Sequence, residues 1–354
     1  MQKENLLKEA INRGASDIHL ISGNKPILRI HGSLMPLNNF DILNPEILSQ
    51  FVREFLNKDQ LEEFYKNKEM DIGYMYKGDV EGRFRINIHF EKGNPALSLR
   101  LIPKIIPTLD QINMPQSLLE LTALPKGLII VTGATGSGKS TTLASLIDYI
   151  NQTRGLHIVT IEDPIEYVYS PKMSIIEQRE LHTDTLAFSE ALKRALRQDP
   201  DVILLGEMRD LETISTAITA AETGHLVFST LHTNDSVEAI DRLIDIFSPN
   251  QQQQIRIQLS MVLEAVIAQQ LLPRIDKQGR VPSVEILRAD AGVRNLIRQQ
   301  KTHEIYSLIE IGANKGMKTM EKSLVDLVKE GKISKEEAFK RTRKKEYLEN
   351  IINV

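Results

Sequence analysis

Gly133-Ala134-Thr135-Gly136-Ser137-Gly138-Lys139-Ser140 fits the pattern G-x-x-x-x-G-K-[ST], and those residue types at that spacing suit phosphate. Glycines let the backbone curl so that successive N–H groups point inward at phosphate oxygens. A lysine in the seventh position can reach the β- and γ-phosphates, and the hydroxyl after it can ligate magnesium. The stretch therefore implies a nucleoside triphosphate, ATP, with Mg2+. Its candidate contacts are Gly133, Thr135, Gly136, Ser137, Gly138, Lys139, Ser140 and Thr141, with Lys139 also catalytic and Ser140 a metal ligand.

Further along, three polar clusters each follow an apolar run. Ile158-Val159-Thr160-Ile161 leads to Glu162-Asp163, Val202-Ile203-Leu204-Leu205 to Gly206-Glu207, and Leu226 to Leu231 to His232-Thr233-Asn234. A carboxylate placed like Glu207 can hold magnesium through water or orient the attacking water. Glu162 can do the complementary job, and the residue types alone leave open which of the two activates the water. Asp163 is a candidate nucleotide contact. His225 and His232 flank one run and are candidates to contact or sense the γ-phosphate, with a structural histidine as the alternative for each.

The elements that must position these groups follow from periodicity. Leu128-Ile129-Ile130-Val131-Thr132 reads as a buried strand, and Leu143, Leu146, Ile147 and Ile150 recur at helical spacing after the loop. Phe188 to Ala195 and Ile214 to Ala221 mark two more helical faces between the other apolar runs. Strands alternating with helices predict an α/β fold with a parallel sheet, whose ligands lie at the carboxyl ends of the strands. The remainder reads as mostly helical, with a helix through Leu259, Val262, Leu263 and Val266 after the glutamines 251–254. The basic stretch Lys340 to Lys345 reads as a solvated helix end.

Residues 1–101 read as a separate, small α+β domain. Leu6, Leu7, Ala10 and Ile11 predict a helix ended by Gly14; Ile47 to Phe55 predict a second. Asp17 to Ile21 and Ile27 to Ile30 read as strands, and His19 and His31 as structural residues without metal-type spacing. Phe84, Ile86, Ile88 and Phe90 alternate with Arg83, Arg85, Asn87 and His89, and Leu97, Leu99 and Leu101 alternate with Ser98 and Arg100, across a turn at Gly93-Asn94-Pro95. Such a hairpin displays Arg83, Arg85 and Arg100 on its polar face. These are either solvated or arginine fingers that meet phosphate, since guanidinium suits its oxygens. Pro103, Pro107 and Pro115 mark 102–115 as an interdomain linker, leaving 116–354 as the second domain.

Bulk composition narrows the classes. The 354 residues carry a net charge of −3, with 41% hydrophobic and 26% charged residues and no cysteine. Disulfides and cysteine-ligated zinc are excluded, and no nucleic-acid partner is expected from so little net charge. No apolar run approaches the roughly 20 residues that span a bilayer, and the first residues lack a signal pattern, so a cytoplasmic location is expected.

With these motifs in hand, the chain resembles the type II/IV secretion ATPases, and within them the motors of type IV pilus retraction. The resemblance runs from Gly14-Ala15-Ser16-Asp17 to the last helices. It rests on the phosphate loop, on Ile161-Glu162-Asp163-Pro164-Ile165-Glu166, on Asp201 to Glu207 continuing into Met208-Arg209-Asp210, and on Thr223-Gly224-His225 to Leu231-His232-Thr233-Asn234. It implies a PAS-like N-terminal domain, a RecA-like ATPase domain and a homo-hexamer, with Arg83, Arg85 and Arg100 as the fingers. It also implies an inner-membrane platform protein and the pilus machinery as partners, peripheral attachment to the inner membrane, and twitching motility as the output. Two positions depart from the family. Ala134 stands where proline is usual, and Gly292-Val293-Arg294-Asn295-Leu296-Ile297 stands for Ala-Ile-Arg-Asn-Leu-Ile. A glycine at the start of that helix is expected to weaken it by ~1 kcal/mol. An extension or secretion ATPase, and a poorly hydrolysing accessory subunit, are the alternatives.

Overall fold

The computed structural model describes residues 3–30, 32–276, 279–342 and 344–352. The chain divides into two compact units. The first runs to Ile105 and includes Pro164–Val168; the second comprises Ile106–Asp163 and the chain from Tyr169 onward.

The first unit contains α1 (Lys3–Asn12), β1 (Asp17–Leu20), β2 (Ile27–Ile30), β3 (Ser33–Pro36), α2 (Pro45–Phe55), α3 (Lys58–Asn67), β4 (Glu69–Lys77), β5 (Glu81–Glu91) and β6 (Asn94–Ile102). Its six strands lie in the order β3-β2-β1-β6-β5-β4, each antiparallel to its neighbour. α2 starts where the Asn44 side chain accepts the Ile47 N–H, and a reciprocal box of Asn57 and Gln60 starts α3. Leu48, Phe51 and Val52 of α2 join Phe84, Ile86, Ile88, Leu97 and Leu99 of the sheet in one core. The period of two in β5 and β6 thus drives one face into that core and leaves Arg83, Arg85 and Arg100 on the other.

The turn between β5 and β6 differs from the reading at Gly93-Asn94-Pro95. Glu91 pairs with Asn94, and the two loop residues are Lys92 and Gly93, with φ of 48° and 80°. A two-residue hairpin turn that matches strand twist needs two positive φ values, and Asn94-Pro95 already belong to β6. His19 lies on β1, its Nδ1 3.4 Å from the Ser98 hydroxyl; His31 lies outside the described residues.

The second unit is built on β7 (Gly127–Thr132), α4 (Lys139–Thr153), β8 (His157–Glu162), β9 (Ile175–Glu180), α5 (Phe188–Ala195), β10 (Val202–Leu205), α6 (Leu211–Glu222), β11 (Leu226–Leu231), α7 (Ser236–Asp245), α8 (Pro249–Val262), β12 (Leu263–Pro273) and β13 (Arg280–Arg288). α9 (Ala291–Arg298), α10 (Ile305–Ile311), α11 (Met320–Lys329), α12 (Lys335–Arg341) and α13 (Lys345–Ile352) follow. The sheet order is β13-β12-β7-β11-β10-β8-β9, parallel throughout except for β13. β7, β10 and β11 are buried on both faces, which is why they read as unbroken apolar runs.

The expected helix through Leu259, Val262, Leu263 and Val266 is half right. α8 ends at Val262, and the chain turns directly into β12. The remainder is mostly helical, with α7 to α13 as expected, but it also holds β12 and β13, a long hairpin paired from Ala265–Arg288 to Pro273–Arg280. Leu263 and Val266 are at helical spacing, and it is pairing with β7 that makes them strand residues. The expected linker is divided: Ile102 ends β6, and from Ile106 the chain belongs to the second unit, where the Pro107 carbonyl accepts from the Ser145 hydroxyl of α4. Lys340 and Arg341 end α12 and Lys345 begins α13, so the basic stretch spans two helices; Arg343 lies outside the described residues. Among the described residues no helix is long and apolar enough to cross a membrane.

Phe84 is fully buried in the first unit's core. Replacing it with alanine should cost that unit about 3–5 kcal/mol. Urea unfolding followed by far-UV circular dichroism should show an earlier transition than in the unsubstituted protein.

Candidate nucleotide site

The loop expected from the glycines lies where β7 gives way to α4. Gly138 caps the helix with φ 91°, and Gly133 leaves the strand with φ 147°. A Cβ on Gly133 would fall 2.3 Å from the Gln269 carbonyl oxygen, so only glycine fits the curl. Ala134, Thr135 and Gly136 form its exposed crest. Lys139 is buried, and its ammonium donates to the carbonyls of Gly133 at 2.8 Å and Ala134 at 3.2 Å, which parks a cation against the loop. Ser140 and Thr141 follow in the first turn of α4.

Parallel pairing brings the other polar groups to the same edge of the sheet. Leu231 of β11 pairs with Thr132 of β7, and Leu205 of β10 pairs with Ser229 of β11 and Ile161 of β8. His232, Glu207 and Glu162 therefore stand at the carboxyl ends of three consecutive strands beside the loop. At about 4.8 Å per strand, Glu207 is two strands from β7 and Glu162 three. Thr132 ties loop and histidine segment together: its hydroxyl accepts from the Thr233 N–H at 2.9 Å and lies 2.8 Å from both the Thr233 carbonyl and hydroxyl oxygens.

The two glutamates have different surroundings. Glu162 is buried, and its Oε1 accepts from the Thr160 hydroxyl at 2.7 Å and from Gln178 at 3.2 Å. Glu207 is 12% exposed, with Arg209 Nε at 2.7 Å and His232 Nε2 at 3.5 Å from its Oε2. The Gly206 before it permits close approach to β8, since a Cβ there would lie 3.3 Å from the Glu162 Cα. Asp163 is exposed beyond Glu162.

Burial holds the His232 imidazolium below the usual histidine range, and the Lys139 ammonium pushes the same way; Glu207 opposes both. His232 is therefore neutral at neutral pH. The sign for folding follows: its contribution is fully present above about pH 6.5 and is lost as pH falls through the lower folded value.

His225 does not join this set. It precedes β11, at the opposite end of the strand from the loop, about 20 Å away along six residues. There its Nδ1 lies 2.9 Å from the Ala220 carbonyl and its own carbonyl accepts from Gly127. His225, expected as a candidate contact of the γ-phosphate or a structural residue, is thus separated from His232 by the six residues of β11. Arg83, Arg85 and Arg100 belong to the first unit. Arg85 and Arg100 are directly cross-strand, with Asp71 3.8 Å from Arg85 and Asp17 3.0 Å from Arg100 relieving the like-charge pair.

Two residues near the loop escaped the sequence reading. Gln269 of β12 donates to the Ser137 carbonyl at 2.7 Å, and Arg280 of β13 lies 3.3 Å from the Gly136 carbonyl. Gln269 follows the apolar run Ala265 to Ala268, the same strand-end signal that exposed Glu207; reading that run as helix hid it.

The donor set fits a nucleotide and magnesium. A glycine curl, a lysine, a helix N-terminus and the buried Ser137 hydroxyl, which has no partner among the described residues, suit phosphate oxygens. Ser140 with one carboxylate suits magnesium, which keeps several waters and takes phosphate oxygens rather than an all-protein cage. Accordingly, among the described residues no group of three histidines or acids could hold a metal alone.

Fold and site together define a phosphate-loop protein of the open α/β class. The chain belongs to the type II/IV secretion system protein family, whose model matches residues 2–350. It is 43% identical over 338 residues to the type IV pilus retraction ATPase PilT of Pseudomonas aeruginosa, covering 96% of this chain and 97% of that one. It is 45% identical over 323 residues to a twitching motility protein of Neisseria gonorrhoeae, covering 91% and 86%. The crystal structure of the pilus retraction motor PilT with bound ADP superposes with a TM-score of 0.91 at 46% identity, covering 99% of both chains.

In nucleotide-free protein, the His232 titration read by NMR should fall below pH 6.5. Glu207→Gln should lower it further and Lys139→Ala should raise it; shifts of the opposite sign would refute the electrostatic reading.

Proposed function

We propose that this chain is the ATP-hydrolysing subunit of a homo-hexameric motor that powers type IV pilus retraction and so twitching motility. The observation that carries it is the alignment of loop, His232 and Glu207 at adjacent strand ends. The chain also matches a retraction ATPase over 97% of that protein's length. In this reading residues 1–101 form a PAS-like domain, 102–115 a linker, and 116–354 a RecA-like ATPase domain.

Bound MgATP supplies the phosphoanhydride bond and a metal that neutralises charge on its oxygens. The loop N–H groups and Lys139 hold the β- and γ-phosphates, Ser140 the metal. Lys139 must leave the Gly133 and Ala134 carbonyls to do so. Glu207 orients the attacking water: it stands one strand nearer the loop than Glu162, and among the described residues its nearest partner is an exposed arginine. Glu162, fixed by Thr160 and Gln178, supports the metal's water shell, with Asp163 beside it. A neutral His232 can accept or donate at the γ-phosphate without adding charge to Glu207. Arg83, Arg85 and Arg100 act as fingers on charge that develops during transfer, contributed between subunits of the ring. In that role Arg85 and Arg100 would exchange Asp71 and Asp17 for phosphate oxygens, which guanidinium also pairs bidentately.

Force from hydrolysis passes to an inner-membrane platform protein of the pilus machine, through which the chain is held at the cytoplasmic face of the membrane. No nucleic-acid partner is part of this reading. An extension or secretion ATPase is the second reading, and a weakly hydrolysing accessory subunit the third.

Lys139→Ala and Glu207→Gln should each lower phosphate release by at least about 100-fold. Near-normal turnover in either would remove the ATPase assignment. Deleting the gene should leave cells with an excess of static pili by electron microscopy; bald cells would transfer the assignment to extension.

A further inference from the structure

We propose that Gln269 is a positioning residue that sets the conformation of the phosphate loop, an inference that rests on the nucleotide-site reading above. β12 runs parallel to β7 as far as the pair Ala268–Thr132, and then continues past the end of β7 to Pro273, still paired with β13. Gln269 is the first residue past the end of β7, so it stands beside Gly133 and the strand behind it forms a wall for the loop.

The side chain is 3% exposed, and a buried amide needs partners for both its ends. Nε2 donates to the Ser137 carbonyl at 2.7 Å, and Oε1 accepts from the Thr142 hydroxyl at 2.8 Å. A carbonyl can only accept, so the nitrogen must face Ser137 and the oxygen must face Thr142. The amide thereby joins the last peptide of the loop to the first turns of α4.

That peptide links Ser137 to Gly138, and its plane decides where the Gly138 N–H points. With the carbonyl pulled toward β12, the N–H is turned to the opposite side, the direction a phosphate cradle requires. The two outer glycines of the motif answer to the same residue. A Cβ on Gly138 would lie 2.8 Å from Gln269 Nε2, and one on Gly133 2.3 Å from the Gln269 carbonyl oxygen. Gly136, by contrast, has nothing within 4 Å of a Cβ, so open space rather than β12 surrounds the crest. Without the amide, the Ser137 carbonyl and the fully buried Thr142 hydroxyl lose their shared partner, and the 137–138 peptide is released to rotate.

The experiment measures Mg-ADP affinity by calorimetry, thermal unfolding, and ATP turnover for full-length unsubstituted protein, Lys139→Ala, Gln269→Leu and Gln269→Glu. Gln269→Leu should raise the ADP Kd and the ATP KM together by about tenfold to a hundredfold, with kcat changed far less. Gln269→Glu should bind as weakly at pH 7.5, where a carboxylate opposes the Ser137 carbonyl. It should recover toward unsubstituted affinity as pH falls and the protonated carboxyl again donates, a recovery that a packing role would not produce. Unchanged affinity in a folded Gln269→Leu protein would overturn the assignment. If that variant does not fold, an affinity in Gln269→Glu that follows the unsubstituted protein at every pH would overturn it instead. Should the unsubstituted protein bind ADP and Lys139→Ala not, either result leaves the nucleotide-site reading standing. Absence of binding in the unsubstituted protein overturns both.

Discussion

A backbone that aims its N–H groups inward at an anion cannot also spend them on helix or strand, so something outside the curl must hold it open. Here the holding is steric and polar together. Gly133 at φ 147° and Gly138 at φ 91° take conformations that L side chains rarely adopt, and both abut Gln269. The strand before the loop is buried on both faces, and α4 behind it is buried over most of its circumference. Lys139 closes the arrangement from inside by donating to two loop carbonyls. Its positive charge is thereby stored at the place where it is needed.

Strand order then converts a one-dimensional list of motifs into a spatial series. Because β11 lies between β7 and β10, His232 separates the loop from Glu207, and the distances follow from strand spacing without any special packing. The charges are arranged as a gradient, with a cation at the loop, a neutral imidazole, then an anion. Burial, and after it Lys139, hold the imidazole toward its neutral form against the pull of Glu207. A proton on His232 would weaken the contrast between the two ends of the series. Arg209, 73% exposed, meets Glu207 from the solvent side and screens it there.

The parts of this site legible in the sequence were those with a local signal. Four parallel strands and the helices between them announced themselves by apolar runs and helical spacing, and the polar residue after each run marked the ligand edge. What escaped depended on pairing between distant segments. Leu263 and Val266 satisfy a helical period, and nothing local says that β7 will claim them. His225 and His232 look equivalent as flanks of one strand, yet strand direction sends them to opposite edges. The turn at Lys92-Gly93 shows the same limit at short range, since Gly93-Asn94-Pro95 carries stronger turn residues but the register of Glu91 with Asn94 fixes the loop two residues long.

The segment that departs from its family takes its meaning from the same strand pair. Arg294 caps the end of α8, donating to the Ser260 and Met261 carbonyls, and pairs with Glu264 at 2.8 Å. Glu264 lies on β12, its Cγ 2.4 Å from where a Cβ on Gly127 would be, at the base of β7. Gly292 sits in the first turn of α9 behind the Asp290 cap, where a Cβ would crowd Leu308 at 3.2 Å. Alanine at this position would therefore require Leu308 to give way by a few tenths of an ångström. One strand thus grips β7 at both ends, Glu264 at its base and Gln269 at its tip. The helix bearing Arg294 is bonded to the first of these grips. Movement of α9 relative to β12 would have to break that ion pair, whereas movement of β12 as a whole would carry α9 and the loop's wall together.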